Sequence, residues 1–459
     1  MTEKFASLHF LDAPNVKEVP GTRSKKLLDL QKEYEGNARS YPRSIPIAFE
    51  AGKGATIKDV DGNVFIDFFG GAGTLNVGHS NPIVLEASIE QQKNIIHTLD
   101  FPTEIKMEFM SRLKNVLPGD LKESAKLLFG GPTGSDAVES AIKLSRFYTK
   151  TRTILSFQGA YHGMSLGALS VTSNRELKDS QPGSDVHFFP YPYCYRCPFG
   201  LERGSCGMAC AKFLEESLIN PHSGVNKPSA VIIEPIQGEG GTIVPPSGYL
   251  KEVRRITEEQ GVILICDEIQ TGFGRTGKMF ASEHDDISPD MVTLSKALGG
   301  IGYPISCIAY DKKFDTWEQG FHIGTFRGHQ SAMAAGNEAI KFMDTFDVLT
   351  HVTELGEYAL IVLSDFSRDI EVIGDVRGKG LMMGIEFVKD RHTKTPNREI
   401  ANEIRKECIA KGLIVEVGGH YSNVIRFLPP LTITKELLTK GLDIFMQICK
   451  EIQGEYSYQ

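Results

Sequence analysis

Three short apolar runs in the middle of the chain each end in one charged residue. Ala230-Val-Ile-Ile233 precedes Glu234, Val262-Ile-Leu-Ile-Cys266 precedes Asp267, and Met291-Val-Thr-Leu-Ser295 precedes Lys296. Runs of this length and composition read as buried parallel strands, and in open α/β sheets ligands sit at the carboxyl ends of the strands. The pattern predicts two carboxylates and an amine on one rim of a sheet, a set suited to chemistry between amines and carbonyl groups.

An anion signal lies upstream. Lys126-Leu-Leu-Phe129 enters the glycine-rich Gly130-Gly-Pro-Thr-Gly134-Ser135 and leaves as a segment with Val138, Ala141, Ile142 and Ser145 on one helical face. Unpaired N–H groups at that helix start, near Gly134 and Ser135, would cradle a phosphate. The plainer alternative is a tight turn with an ordinary cap. The segment has neither the Gly-Lys-Ser of a P-loop nor the dinucleotide fingerprint. A phosphate site, an amine and a buried aspartate together suggest pyridoxal phosphate. Lys296 would form a Schiff base with its aldehyde and shuttle a proton, and Asp267 would keep the pyridine nitrogen protonated so that the ring can accept electrons. Gln270 lies one short turn beyond Asp267, within reach of the ring's phenolic oxygen. Taken singly, these residues also read as a solvated lysine, a capping aspartate and a glutamine facing water; their joint placement at strand ends favours the site.

The elements that must position these groups are legible in outline. A chain of 459 residues exceeds what one hydrophobic core serves, so more than one unit is expected. The first forty or so residues read as partly extended. Thr56 to Asp67 reads as two short strands around an Asp61-Gly62 turn. From about residue 85 to 345, helical stretches alternate with apolar runs, the pattern of a parallel sheet wound with helices on both faces. After about 345 come a helix, a strand over Gly380 to Val388, a helix near Arg398 to Lys411 and a strand near Val424 to Phe427. The expected organisation is α/β, with a large domain over 76–345 and a small α+β domain drawn from 1–75 and 346–459.

A net charge of -8 argues against nucleic-acid or anionic-membrane partners. The opening Met1-Thr-Glu-Lys-Phe-Ala-Ser7 lacks the basic start and apolar core of a signal peptide, and no apolar run is long enough to span a bilayer. Eight cysteines, with Cys266 inside a strand run, fit a reducing compartment better than a disulfide framework. A cytoplasmic protein is the expectation.

Several segments carry a family resemblance. Asp267-Glu-Ile-Gln-Thr-Gly-Phe-Gly-Arg-Thr-Gly277, Ser295-Lys-Ala-Leu-Gly-Gly300 and Glu234-Pro-Ile-Gln-Gly-Glu-Gly-Gly241 resemble the signature of class III pyridoxal-phosphate aminotransferases, the omega-aminotransferases. The similarity continues through Asp61-Gly62, Gly78-His79, Tyr161-His-Gly163, Gly324-Thr325, Val376-Arg-Gly-Lys-Gly-Leu381 and Arg426 to Pro429-Pro-Leu-Thr432. It implies the fold type I of pyridoxal-phosphate enzymes, with a mostly parallel seven-stranded sheet, a homodimer or higher homo-oligomer with sites at the subunit boundary, and amino transfer to an oxo acid. Position by position, it implies that Tyr161 stacks on the cofactor ring, that Gly134 and Ser135 bind its phosphate, and that Thr325 reaches the phosphate from the neighbouring subunit. Glu234 matches a residue behind the cofactor, outside the catalytic set.

Glu239 and Arg426 resemble the family's substrate switch. An omega-amine brings no carboxylate to the reacting carbon, so Arg426 would be an uncompensated buried charge unless Glu239 pairs with it; an oxo acid would instead take Arg426 through its α-carboxylate. The alternative is a permanent ion pair with poor use of 2-oxoglutarate. Relatives acting on 4-aminobutyrate or ornithine carry an arginine where this chain has Met164, whereas Arg327 stands where glycine is commoner. Met164, Arg327 and Arg39-Ser-Tyr-Pro-Arg43 resemble the diaminobutyrate 4-aminotransferase branch. Arg327, or alternatively Arg43, is the expected receptor of the distal carboxylate. The expected reaction moves the terminal amino group of L-2,4-diaminobutyrate to 2-oxoglutarate in a ping-pong cycle, giving aspartate 4-semialdehyde and glutamate. Alternative donors are 4-aminobutyrate, taurine and β-alanine, and a racemase or epimerase is the competing enzyme class. Cys194-x2-Cys197-x8-Cys206-x3-Cys210 has spacing that permits a zinc site, but its intervening residues resemble a segment of related aminotransferases, and no metal is expected.

Overall fold

The structure is a computed structural model describing residues 4–178 and 185–456. It divides into two compact units, one of Met1–Pro82 with Thr350–Gln459 and one of Ile83–Leu349.

The central unit is built on seven strands: β1 (Ala125–Phe129), β2 (Ile154–Phe157), β3 (Val186–Phe189), β4 (Ala230–Ile233), β5 (Ile263–Asp267), β6 (Met291–Leu294) and β7 (Cys307–Asp311). They lie side by side in the order β1, β7, β6, β5, β4, β2, β3. All pairings are parallel except those of β7, which runs antiparallel to both neighbours. Every residue of β4, β5 and β6 is buried. A strand covered on both faces needs a continuous apolar run rather than alternation, which is why these segments look as they do in sequence. Their register sets their ends level: Ile233 lies beside Cys266, and Asp267 beside Thr293. Glu234, Asp267 and Lys296 therefore emerge along one rim.

Helix α1 (Gly134–Thr149) follows β1. The Asp136 carboxylate accepts from the Thr133 amide at 2.9 Å and the Thr133 hydroxyl at 2.8 Å, which pins the chain as it turns into the helix. Its apolar stripe of Ala137, Val138, Ala141, Ile142 and Leu144 packs in one core with Ile232, Ile263, Ile265, Met291 and Ile308 from the sheet.

In the other unit, the Asp61-Gly62 turn joins strands Thr56–Asp59 and Val64–Asp67, and Leu413–Ile414 adds a parallel strand beside Ile66 and Asp67. The N-terminal hairpin and the C-terminal segment thus share a sheet. A second antiparallel sheet contains Ile373–Lys379, Met382–Asp390, Glu416–Gly418 and Val424–Phe427. One early segment departs from the sequence expectation: Thr22–Tyr34 is a helix rather than extended chain. Its start is capped from a distance, because the Asp61 carboxylate accepts from the Arg23 and Ser24 amides, both at 2.8 Å. No helix among the described residues is long and apolar enough to cross a membrane.

Candidate active site

A cavity of about 220 Å³ opens at the carboxyl rim of β4, β5 and β6. The turn into α1 contributes Thr133, Gly134 and Ser135, and the loop after β2 contributes Tyr161, His162 and Gly163. Glu234 and Glu239 follow β4, Asp267 and Gln270 end and follow β5, and Lys296 follows β6.

Lys296 opens the short turn Lys296–Gly299 with φ at 48°, a left-handed conformation unusual for a residue with a side chain. The preceding Ser295 hydroxyl donates to the Ile305 carbonyl at 2.9 Å and anchors that turn. Asp267 is 4% exposed and is held by three donors. Its Oδ2 lies 2.7 Å from His162 Nδ1; its Oδ1 accepts from the Thr293 hydroxyl at 2.9 Å and the Ile269 amide at 3.1 Å. A carboxylate oxygen only accepts, so the imidazole proton sits on Nδ1.

Glu234 is buried behind the same wall, accepting from the Tyr161 and Gly238 amides, each at 3.1 Å. Burial pushes its pKa up to about 7; the nearby Asp267 acts in the same direction, and His162 opposes it. Burial, then Glu239, raises the Tyr161 phenol above its ordinary range. Glycines give the cavity its close walls. A Cβ at Gly238 would lie 1.9 Å from Gln270 Oε1, and one at Gly163 would lie 2.1 Å from Ser135 Oγ. A Cβ at Gly134 would meet Ile269 Cδ1 at 2.9 Å. The Ser135 hydroxyl accepts from the Met164 amide at 3.2 Å, which ties the helix start to the loop after β2.

The structure thus brings Gly134, Ser135, Tyr161, Glu239, Asp267, Gln270 and Lys296 to one cavity. Thr325 and Arg327 belong to the same unit, on the turn Thr325–Arg327, outside that lining. Thr325 is exposed, and its carbonyl accepts from His97 Nε2 at 2.7 Å. Arg426 is buried on the Val424–Phe427 strand of the other unit. Arg43 is exposed in that unit, its Nη2 donating to the Asn37 carbonyl at 2.6 Å. His162, which in sequence reads as a turn or core histidine, is buried and carries the hydrogen bond that orients Asp267. The signal that could have found it is its place between Tyr161 and Gly163, but its partner lies 105 positions away.

Cys194, Cys197, Cys206 and Cys210 line a separate cavity of about 350 Å³ and are not joined in disulfides. Burial pushes Cys210 up to about 11. Among the described residues, no group of three or more His, Cys, Asp or Glu side chains is placed to hold a metal ion.

Comparison with known proteins decides the family: the description "Aminotransferase class-III" matches residues 38–449. The chain belongs to the class III aminotransferases. It is similar to a diaminobutyrate–2-oxoglutarate aminotransferase of Rhizobium meliloti (strain 1021), 43% identical over 418 residues that cover 89% of this chain and 88% of the relative. It is also similar to a leucine/methionine racemase of Thermococcus litoralis, 40% identical over 89% of this chain and 93% of the relative. Among solved structures, an ornithine aminotransferase from Toxoplasma gondii, with PLP partly occupying its active site, superposes with a TM-score of 0.81 at 26% identity, covering 94% of this chain and 95% of that one. As a class III aminotransferase the protein is an enzyme of amino transfer, and the matched span takes in the whole central unit with its strand-end cavity.

Proposed function

We propose that this class III aminotransferase holds pyridoxal 5'-phosphate in the strand-end cavity and moves the terminal amino group of L-2,4-diaminobutyrate to 2-oxoglutarate, giving aspartate 4-semialdehyde and glutamate. The observation that carries the reading is the convergence of Lys296, Asp267, Gln270 and the Gly134–Ser135 turn on one cavity, in a chain 43% identical to a diaminobutyrate–2-oxoglutarate aminotransferase.

The residues fit the cofactor's chemistry. A helix start crowded by glycines, where Cβ atoms would block the approach, suits a phosphate. A carboxyl group fixed by His162, Thr293 and Ile269 suits a pyridinium nitrogen. Bound pyridoxal phosphate supplies an aldehyde that links to amines and a ring that withdraws electrons from a neighbouring C–H bond. The protein supplies the rest. Ser135 and the amides at the start of α1 would bind the phosphate, Tyr161 would pack on the ring, Gln270 would serve its phenolic oxygen, and Asp267 would keep the ring nitrogen protonated. Lys296 Nζ would be the base that takes the proton from the carbon bearing the amine. Glu239 lines the cavity beside these groups, and Arg426 takes its substrate role from the resemblance.

A homodimer is part of the proposal, and exposed apolar side chains support it. Ile95, Ile96, Leu99 and Phe101 are exposed on one segment, and Ile323 and Phe326 on another. The two segments adjoin, since the Thr98 amide donates to the Gly328 carbonyl and the Gln330 amide to the Ile96 carbonyl. Such a patch suits a second copy that brings its Thr325 to the phosphate. The setting is the cytoplasm, with small molecules as the other partners.

Borohydride reduction of the purified, cofactor-loaded protein followed by peptide mapping tests the site: the expected label is on Lys296, and a label on another peptide, or none, defeats the reading. A panel of 2,4-diaminobutyrate, 4-aminobutyrate, taurine and β-alanine against 2-oxoglutarate and pyruvate then fixes the donor. The similarity to a racemase supports one second reading, reprotonation of the same carbon without amino transfer. Deuterium wash-in at the α-carbon with no net oxo-acid formation would select it.

A further inference from the structure

Arg327 is 5% exposed, and its Nε and Nη2 are buried with no hydrogen-bond partner among the described residues. A guanidinium presents its N–H groups as a planar fork that matches the two oxygens of a carboxylate or two oxygens of a phosphate. Leaving such a fork desolvated and unpaired is costly, and proteins avoid it unless an anion completes the arrangement.

The neighbouring cations are Lys106 and Lys143, and the neighbouring carboxylates of Asp100, Asp136 and Glu139 act on this region without hydrogen-bonding the Arg327 Nε or Nη2. Lys106 is 8% exposed and spends its Nζ on the Asp100 carbonyl at 3.0 Å. Lys143 Nζ donates to the Phe321 carbonyl at 2.7 Å, and His322 Nε2 lies 2.9 Å from the Ser140 hydroxyl. Burial, then the charges of Arg327 and Lys143, hold the His322 imidazole down at about 4, so it is neutral near pH 7. The Asp100 carboxylate, at the surface, favours the charge on Arg327 and makes no ion pair with it. Backbone places the group beside the candidate phosphate turn: a Cβ at Gly324 would lie 3.1 Å from Arg327 Nε and 3.7 Å from the Gly130 carbonyl oxygen.

We infer that Arg327, with Lys106 near it, is a buried oxyanion receptor alongside the Gly130–Ser135 loop and that it sets the enzyme's preference for substrates bearing a carboxylate remote from the reacting amine. The inference rests on the aminotransferase reading above. The shared chemistry is an oxyanion, and its two sources are the donor's carboxylate and the cofactor's phosphate.

Arg327→Gln and Arg327→Lys, made in the full-length protein, separate the outcomes. A guanidinium whose Nε and Nη2 lack internal partners adds little to stability, so the ligand-free Arg327→Gln protein melts close to the wild-type temperature or above it. A marked fall in Tm, or failure to fold, would show that the protein itself satisfies the guanidinium and would overturn the inference. In turnover, Arg327→Gln raises the KM for 2,4-diaminobutyrate by about tenfold or more and leaves that for 1,3-diaminopropane, which lacks the carboxylate, within about twofold; Arg327→Lys recovers part of the loss. A comparable rise in the pyridoxal-phosphate dissociation constant of the cofactor-stripped protein, with both donors weakened alike, assigns the receptor to the phosphate instead. Unchanged KM and unchanged cofactor affinity refute it. A wild-type protein that turns over neither donor defeats the aminotransferase reading alone. The receptor is then judged by melts with added succinate or inorganic phosphate, which raise the wild-type Tm more than that of Arg327→Gln; equal rises overturn it.

Discussion

Glu234 shows how burial, at the scale of one side chain, sets a proton where composition would not. Held against Asp267 in the cavity wall, its carboxyl group keeps its proton up to about pH 7, whereas an unfolded chain releases it near 4.5. Unfolding therefore releases a proton throughout that window, and stability declines as pH rises through it. The shift corresponds to roughly 3 kcal/mol at most, of which solvent relaxation removes a share. Glu234→Gln cannot ionise, so its melting temperature minus that of the wild type should grow between pH 4.5 and 7 and level off above; a difference independent of pH would contradict the burial argument. Asp267 and Lys296 are legible in sequence because each ends a continuous apolar run, and a strand buried on both faces dictates such a run locally. The hydrogen bond that His162 makes to Asp267 is not legible, because it joins residues 105 positions apart and no local pattern encodes it.

The loop that leaves β5 carries Gln270, and what holds that loop is Glu268. This carboxylate is fully buried and accepts from the Thr271 hydroxyl, from the Ala281 amide at 3.0 Å and from the Ser282 amide at 2.8 Å, so it clamps the far end of the loop to its start. Burial, its largest influence, raises its pKa against these donors, which lower it. Glu268→Ala would strand two buried amides and a hydroxyl, at about 1–3 kcal/mol for each group left unpaired. The expected loss is about 3 kcal/mol or more by thermal or urea melts, with Glu268→Gln between it and the wild type; a loss below about 0.5 kcal/mol would mean that other contacts hold the loop. In sequence Glu268 is only a letter beside Asp267, since clamping depends on residues 281 and 282 returning to it. The same limit explains the Thr22–Tyr34 helix, whose start is capped by Asp61 from the hairpin rather than by its own Gly21. By contrast, the hairpin itself, α1 and the strands β4 to β6 follow from turn chemistry and periodicity within a few residues, and these elements are where sequence and structure agree.

For the whole molecule, the proposed homodimer has physical consequences of its own. Each copy carries a net charge of -8, so two copies approach one another against repulsion, and a stable pair must be held by buried apolar surface. Ile323 is 76% exposed and Phe326 66% exposed on the segment that carries Thr325, with Phe101 at 70% on the adjoining one. Burying side chains of this size contributes about 2 kcal/mol each. Two tests follow from opposite physical terms. Added salt screens the repulsion and leaves apolar burial intact, so the dimer should tighten as ionic strength rises, measured by sedimentation; loosening would point instead to ion pairs across the boundary. Phe326→Asp together with Ile323→Asp places like charges on the proposed dimer surface, and should shift the protein to monomer while its melting temperature stays near the wild-type value. If Thr325 serves the neighbouring phosphate, those monomers should also release pyridoxal phosphate more readily on gel filtration, with Lys296, Asp267 and the Gly134–Ser135 turn untouched. A double variant that remains dimeric would remove this patch from the interface and leave Thr325 without a route to a second site.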